Sequence, residues 1–480
     1  MKIIISHPQN WQIIFAGRFI VPALLFSVFS SITCSNFLSK YQEVEAASQV
    51  KDTTQSILYV STSGNDSNSG TQESPLATLR QAVAVAPQLK ATEIRMAHGV
   101  YYENLNITSD LTIKGSYCSG WASQNINDSA CLTSIRTRLF PALPVLTFSG
   151  SSVTKASLVE QIELNYEKVS GSYYPPDSRA VILRVMDGAS PVFNNNRIVG
   201  IAPPSAYSTF CGTLFVLGIE VTSGSSPEFN RLWLNLGNYP QQAGCGSNRT
   251  SHAGLSVRSG SSVKLVNSVI HIFNTPEPSI GHYGVYLEAD SSINMINNTL
   301  GIECYDHICR AVYSDAGSTT KSNLSRLVNN ILAIYPMNTS IKICIDNSTN
   351  NGFNEIRNNA LYCNDGAGSG SYRILPGGTL YAISDVGDAA TATAASGTPT
   401  PVISGNILGN TTNFNGTLVN GPFTNTTTFA TSTALQLPVA SPAANAGINT
   451  AGEPYLVTDD ILGVARPVGA AYDIGAYESR

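Results

Sequence analysis

An internal repeat constrains this chain more than any other feature. The segment SHAGLSVRSGSSVKLVNSVIHI (251–272) overlays GHYGVYLEADSSINMINNTLGI (281–302) at a constant offset of 30. His252 meets His282, Gly254 meets Gly284, Leu255 meets Val285, Leu265 meets Met295 and Asn267 meets Asn297. A shorter signature, an apolar residue followed two later by Asn and five later by another apolar residue, extends the repeat in both directions. It occurs at Phe193-Asn195-Ile198, Leu265-Asn267-Ile270, Met295-Asn297-Leu300, Leu327-Asn329-Leu332 and Ile356-Asn358-Leu361. Degenerate copies stand at Phe229-Arg231-Leu234 and Ile403-Gly405-Leu408. The starts lie 36, 36, 30, 32, 29 and 47 residues apart, which suits coils whose strands hold register while their loops vary in length.

Within each unit apolar residues alternate over four or five positions, as in Val285-Tyr286-Leu287, and a turn cluster follows. A unit of this size cannot bury an inward face alone. Stacked at about 4.8 Å, such units bury a continuous core. The expected fold is all-β: a single-stranded right-handed parallel β-helix of about ten coils, about 50 Å long. Only 12% of residues are charged and Gly and Pro are plentiful, which disfavours long solvated helices. The recurrent Asn residues fit bends between strands, since Asn tolerates left-handed backbone and its amide can hydrogen-bond along a stack.

An open solenoid end needs a lid. Thr78-Leu79-Arg80-Gln81 is a capping-box pattern, and Leu79, Ala82, Val83 and Ala86 form the apolar face of a short helix that Pro87 is expected to stop. That helix would cover the first coil, beginning with Ile94 and Met96. The stretch LYVSTSGNDSNSGTQESPLATLRQAV, followed by EIRMAHGVYYENLNI and LTIKGSY, resembles the N-terminal cap and opening coils of pectate-lyase-like parallel β-helix proteins, in a subgroup of unknown function. SPAANAG (441–447) and DILGVARPVGAAYDIGAYE (460–478) resemble the closing segment of many such proteins. The organisation read from these signals is a signal peptide at 1–33, a tether at 34–56, a cap with first coils at 57–115, repeats at 116–420 and a closing segment at 421–480.

Lys2 and Arg18 precede the apolar stretch Phe19 to Phe29, and Ser31-Ile32-Thr33-Cys34 follows, a pattern that reads as an export signal. The placement of Cys34 resembles a lipoprotein signal, with Ser31 where leucine is usual, and implies lipidation at Cys34 and an outer-membrane or surface location; the alternative is simple cleavage and secretion. Without residues 1–33 the chain holds 25 basic against 32 acidic residues, a balance that argues against a nucleic-acid partner. Eight cysteines remain beside Cys34. In a solenoid these favour neighbouring pairs: Cys118 with Cys131, Cys211 with Cys245, Cys304 with Cys309, and Cys344 with Cys363. A metal site at Cys304, His307 and Cys309 is the rival reading.

Catalytic signatures of β-helix hydrolases and lyases are not evident; only Asp459-Asp460 echoes a hydrolase acid pair, and it falls in the tail motif. Aligning the residues that end each strand gives a column of Arg184, Glu220, Arg258, Glu288, Asp315 and Asp346. The first four would form a ladder of ion pairs. Glu288, Asp315 and Asp346 would hold calcium or splay into solvent. His252 and His282 stack by the repeat and read as surface residues or a metal or sugar site. Tyr283, Tyr286, Tyr305 and Tyr313 could form an exposed platform for sugar rings. The favoured function is a monomeric, envelope-anchored scaffold that binds a glycan or surface partner without catalysis. The alternative is a polysaccharide lyase or glycoside hydrolase, with calcium on the three acids and Lys264 or Lys342 as base.

Overall fold

The structure, a computed structural model, describes residues 55–137, 143–166, 178–201, 213–237, 249–364 (less 259, 274–278, 289, 305–307, 316–324, 337–340 and 348–352), 402–410, 441–450 and 457–479. Three sheets, parallel throughout, wind as a right-handed β-helix. Among the described residues sheet A has 11 strands, from Ile57–Val60 to Val402–Ser404. Sheet B has 10, from Gly99–Tyr102 to Ile407–Asn410, and sheet C has 8, from Leu105–Ile107 to Ile341–Asn347. One coil runs through Ser279–Leu287 in sheet C, Ser292–Ile296 in sheet A and Thr299–Cys304 in sheet B, with a two-residue bend at Asn297 and Asn298 between the last two.

The repeat expected from the sequence is the repeat of the fold. Phe193, Phe229, Leu265, Met295, Leu327, Ile356 and Ile403 are successive register partners in sheet A. The side chains from Phe193 to Ile356 belong to one axial core in which the Phe193 and Phe229 rings stack 4.8 Å apart. Each Asn of the signature does adopt the left-handed conformation, with φ of 52° at Asn195, 49° at Asn267, 56° at Asn297, 56° at Asn329 and 51° at Asn358. Arg231 and Gly405 do the same where the signature degenerates. The buried ladder belongs mainly to the following residue. Asn298 Nδ2 donates to Asn330 Oδ1 at 2.9 Å, Asn330 Nδ2 to Asn359 Oδ1 at 2.9 Å, and Asn359 Nδ2 to Asn406 Oδ1 at 3.0 Å. The same Oδ1 atoms accept from the backbone one coil back, so the buried side-chain amides of Asn298, Asn330 and Asn359 are satisfied without solvent.

Helix α1 (Leu79–Leu89) begins at Thr78, whose hydroxyl accepts from Gln81 N at 3.1 Å. Glu103, from the first coil, adds a second cap by accepting from Leu79 N at 2.7 Å and Arg80 N at 2.8 Å. Leu79, Ala82 and Ala86 enter the core with Ile94 and Met96, as expected of a lid. Pro87 does not stop the helix: the chain continues to Leu89 and ends at Lys90 in the left-handed conformation. In the last turn proline forfeits only one hydrogen bond, and Ala91 N still reaches Ala86 O at 2.9 Å.

The described part of the tail docks along the flank of the helix, over the Asn-bearing bend between sheets A and B. Asn329 Nδ2 donates to Ile448 O at 2.8 Å while its Oδ1 accepts from Ile448 N at 3.0 Å, and Asn267 Nδ2 donates to Asp459 O at 2.6 Å. Val266, Ile296 and Val328 pack against Ile448 and Val457 on one side of the bend. On the other, Val269, Ile331 and Tyr362 pack against Ile461, Ile474 and Tyr477. Inside the tail Arg466 and Glu478, both fully buried, pair at 2.6 Å. The Asp459-Asp460 pair is structural: Asp459 pairs with Arg231, and Asp460 accepts from Leu462 N at 2.9 Å and Val464 N at 2.8 Å.

Candidate functional site: a tyrosine-walled groove on sheet C

Sheet C breaks strict alternation, and the break creates the site. Leu183, Ile219, Leu255, Val285, Val312 and Ile345 align and face the core. Two residues earlier, Val181, Leu217, Ala253 and Tyr283 align on the outside, in a small apolar cluster of their own. One residue later, Arg184, Glu220, Ser256, Tyr286, Tyr313 and Asp346 align, also outside. The residue between, Gly218, Gly254 or Gly284 in three successive coils, absorbs the change of phase. A Cβ on Gly254 would lie 2.6 Å from Ile270 and 2.7 Å from Gly284 O, so only glycine lets the backbone bend this closely over its neighbours.

Two outward columns three residues apart make a floor and a wall. Leu217, Ala253 and Ser256 floor a groove of about 460 Å³, with Phe215 and Arg179 at one end and Tyr283, Tyr286, Arg258 and Glu288 at the other. Small Ala253 and Ser256 take volume out of a single coil, while the next coil raises two tyrosines beside them. The Tyr283 and Tyr286 rings meet edge to face at 5.3 Å and 84°, and Tyr313 backs them at 5.4 Å and 5.3 Å. The Arg310 guanidinium lies 4.6 Å from the Tyr313 ring centre and 5.5 Å from that of Tyr283, and it pairs with Asp346. Tyr286 Oη donates to Asp315 Oδ2 at 3.0 Å. Burial, reinforced by that carboxylate, pushes the Tyr286 hydroxyl well above the usual tyrosine range and keeps it protonated.

Beneath the groove the buried Glu220 carboxylate gathers three arginines drawn from both ends: Arg184 at 2.8 Å, Arg258 at 3.1 Å and Arg179 at 3.5 Å. Arg258 also reaches Glu288 at 3.5 Å. Around the groove, Arg179, Arg184 and Arg258 therefore share Glu220, Arg258 also reaches Glu288, and Arg310 holds Asp346.

These positions revise the acid column expected from sequence. Register follows the core residue and not the strand end, so Ser256, not Arg258, stands opposite Glu220. Arg258 N, Glu288 N and Asp315 N bond to Val221 O, Val257 O and Leu287 O, placing these three in a separate column two residues on. Asp346 stands with Tyr313 instead and is taken by Arg310, so Glu288, Asp315 and Asp346 do not converge as a calcium site. Among the described residues no three His, Cys, Asp or Glu side chains are grouped to hold a metal ion. Lys264 lies in sheet A and bonds to Glu228 at 3.1 Å, away from these acids.

His252 and His282 stack as the repeat demands but are buried, correcting the surface reading. They follow Val216 in an inward column, with Nδ1 atoms 3.0 Å apart. Burial pushes His252 down to about 3. Cys118–Cys131 and Cys344–Cys363 are disulfides as expected. Cys309 is also disulfide-bonded, which removes it as a thiolate ligand. Cys34, Cys211, Cys245, Tyr305 and His307, and the side chains of Cys304 and Lys342, lie outside the described residues.

Sequence reasoning missed Arg179, Phe215, Leu217, Ala253, Ser256 and Arg310. Carrying the 36-residue offset from Val181 through Leu217 to Ala253 would have found the floor, because Val181 and Leu183 are both apolar yet serve opposite faces. A second buried group, His271 with Nδ1 3.2 Å from Asn235 Oδ1 and Nε2 3.6 Å from Glu303, also escaped notice because each member comes from a different coil of sheet B. No protein-family model matches the chain, and no curated protein is similar enough to count as a relative.

Proposed function

We propose that this protein is an exported scaffold of the pectate-lyase-like type, anchored to the cell envelope through lipid on Cys34, whose sheet C groove binds a glycan chain without transforming it. The observation that carries this reading is the tyrosine-walled groove. Rings of Tyr283 and Tyr286 rise beside a floor of Leu217, Ala253 and Ser256, and the lining adds the Arg179 and Arg258 guanidiniums as donors and the Glu288 carboxylate as acceptor, the mixture that a sugar with an apolar face and polar edges requires. The disulfides suit an oxidising compartment outside the cytoplasm. Against a lyase or hydrolase stands the engagement of each acid: Glu288 by Arg258, Asp315 by Tyr286 and Asp346 by Arg310.

Glycan-array screening followed by calorimetry tests the proposal. Stacking on an aromatic ring contributes about 0.5–1.5 kcal/mol beyond area burial, so Tyr283→Ala with Tyr286→Ala should weaken binding at least about tenfold. Absence of glycan binding, or affinity unchanged in the double variant, would remove the groove from the function. Product release from the bound glycan would replace binding with catalysis.

A further inference from the structure

Resting on the glycan-binding reading, we infer that the groove is a slot one chain wide that runs across the β-helix, along the strand Arg249–Val257, and so takes a single free glycan chain rather than the face of a packed polymer. The register carries the argument. In each outward column this strand puts a small residue after a larger one: Ser251 after Phe215, Ala253 after Leu217 and Ser256 after Glu220. The next coil restores the bulk, with Tyr283 after Ala253 and Tyr286 after Ser256. Gly281, after Ser251, leaves no breach, because Tyr283 Oη lies 3.1 Å from where a Cβ on it would stand. The trench thus keeps to one coil, from Ser251 beside the 37% exposed Phe215 to Arg258 beside Glu288.

Two strand spacings, about 10 Å, separate the backbones of the flanking strands Thr213–Val221 and Ser279–Leu287. A ring in contact with both walls at about 3.5–4.0 Å takes up about 7–8 Å of that width. A second chain alongside it would collide with Phe215 or the tyrosines. Along the strand, by contrast, the slot offers up to about 23 Å at about 3.3 Å per residue. A chain following the helix axis would instead have to climb the block of Tyr283, Tyr286 and Tyr313, braced by Arg310.

The test applies calorimetry on the full chain to glucose, mannose, N-acetylglucosamine and galacturonate oligomers of increasing length, and sedimentation to the insoluble polymer of each sugar. Affinity for the oligomers that bind should rise until the chain spans about 23 Å and stay flat thereafter, while the insoluble polymer should retain little protein. A photoreactive group on the terminal unit of a bound oligomer reads its course in the wild-type protein. Labelled residues should lie at the two ends of the slot, at Phe215 or Ser251 and at Arg258 or Glu288. Labelling within 146–149 or 308–314, on coils beyond the two walls, would overturn the inference, as would tighter retention on the insoluble polymer than on its oligomers. Either result leaves glycan binding standing provided the tyrosine variants lose it. Binding of none of these sugars in any form would overturn both.

Discussion

Replacing Asn330 by alanine removes one rung of the buried ladder that joins sheets A and B. The Asn330 Oδ1 accepts from Asn298 N at 3.0 Å and from Asn298 Nδ2 at 2.9 Å, and its Nδ2 donates to Met295 O and Asn359 Oδ1, each at 2.9 Å. A typical intramolecular hydrogen bond contributes about 1 kcal/mol net, and a buried group left unpaired costs about 1–3 kcal/mol, so the substitution should cost about 4 kcal/mol. Asn358→Ala is the control: it leaves this ladder intact and forces alanine to φ near 51°, at a cost of about 1–2 kcal/mol. Because each coil touches only its neighbours, the loss should be local and is best read by hydrogen exchange with mass spectrometry. Peptides covering 292–304 and 325–336 should exchange about a thousandfold faster, while those covering 112–117 stay unchanged. Acceleration below about tenfold, or spread evenly along the chain, would refute the ladder's role.

Two further expectations concern the tail and the core. Gly475 has φ of 101°, and a Cβ there would lie 2.6 Å from Ile331 Cδ1 and 2.8 Å from Thr299 Oγ1, so Gly475→Ala should loosen the docked tail; limited proteolysis should cut within 441–479 before the coils, and a tail as resistant as wild type would contradict this. His252 takes up a proton at its ordinary 6.5 when unfolded but only near 3 when buried, so its contribution to stability is complete above pH 6.5 and declines as pH falls towards 3, by about 1.4 kcal/mol per unit. The double variant His252→Val, His282→Val should narrow the gap between urea midpoints at pH 4.5 and 7.5, and an unchanged gap would exclude the pair as its source.

The β-helix was legible because stacking forces one residue in each coil to repeat a backbone conformation. Asn195, Asn267, Asn297, Asn329 and Asn358 advertise a left-handed bend that few residue types tolerate. The tail's docking surface was present in the sequence too, though unread: Leu265-Val266, Met295-Ile296 and Leu327-Val328 are adjacent apolar pairs, which in a strand means apolar on both faces and hence a covered exterior. The groove was half legible. Tyr283 and Tyr286 were recognised, but their neighbours depend on the phase change at Gly218, Gly254 and Gly284, which places residues three apart on one surface. Strict alternation cannot express that. His252 and His282 were misplaced for the same reason: glycines beside them suggested an exposed turn, whereas these glycines mark a bend packed against Leu234, Ile270 and Leu300.

Hydroxyl-radical footprinting with and without a bound oligosaccharide tests the central claim most directly, because it reads side chains and not overall affinity. Tyr286 lines the groove, whereas Tyr102, 45% exposed on sheet B, provides an internal reference away from it. Bound glycan should suppress oxidation of Tyr283, Tyr286 and Phe215 while leaving Tyr102 unchanged. Suppression at Tyr102 with the groove tyrosines unaffected would contradict the assignment of the groove as the binding site.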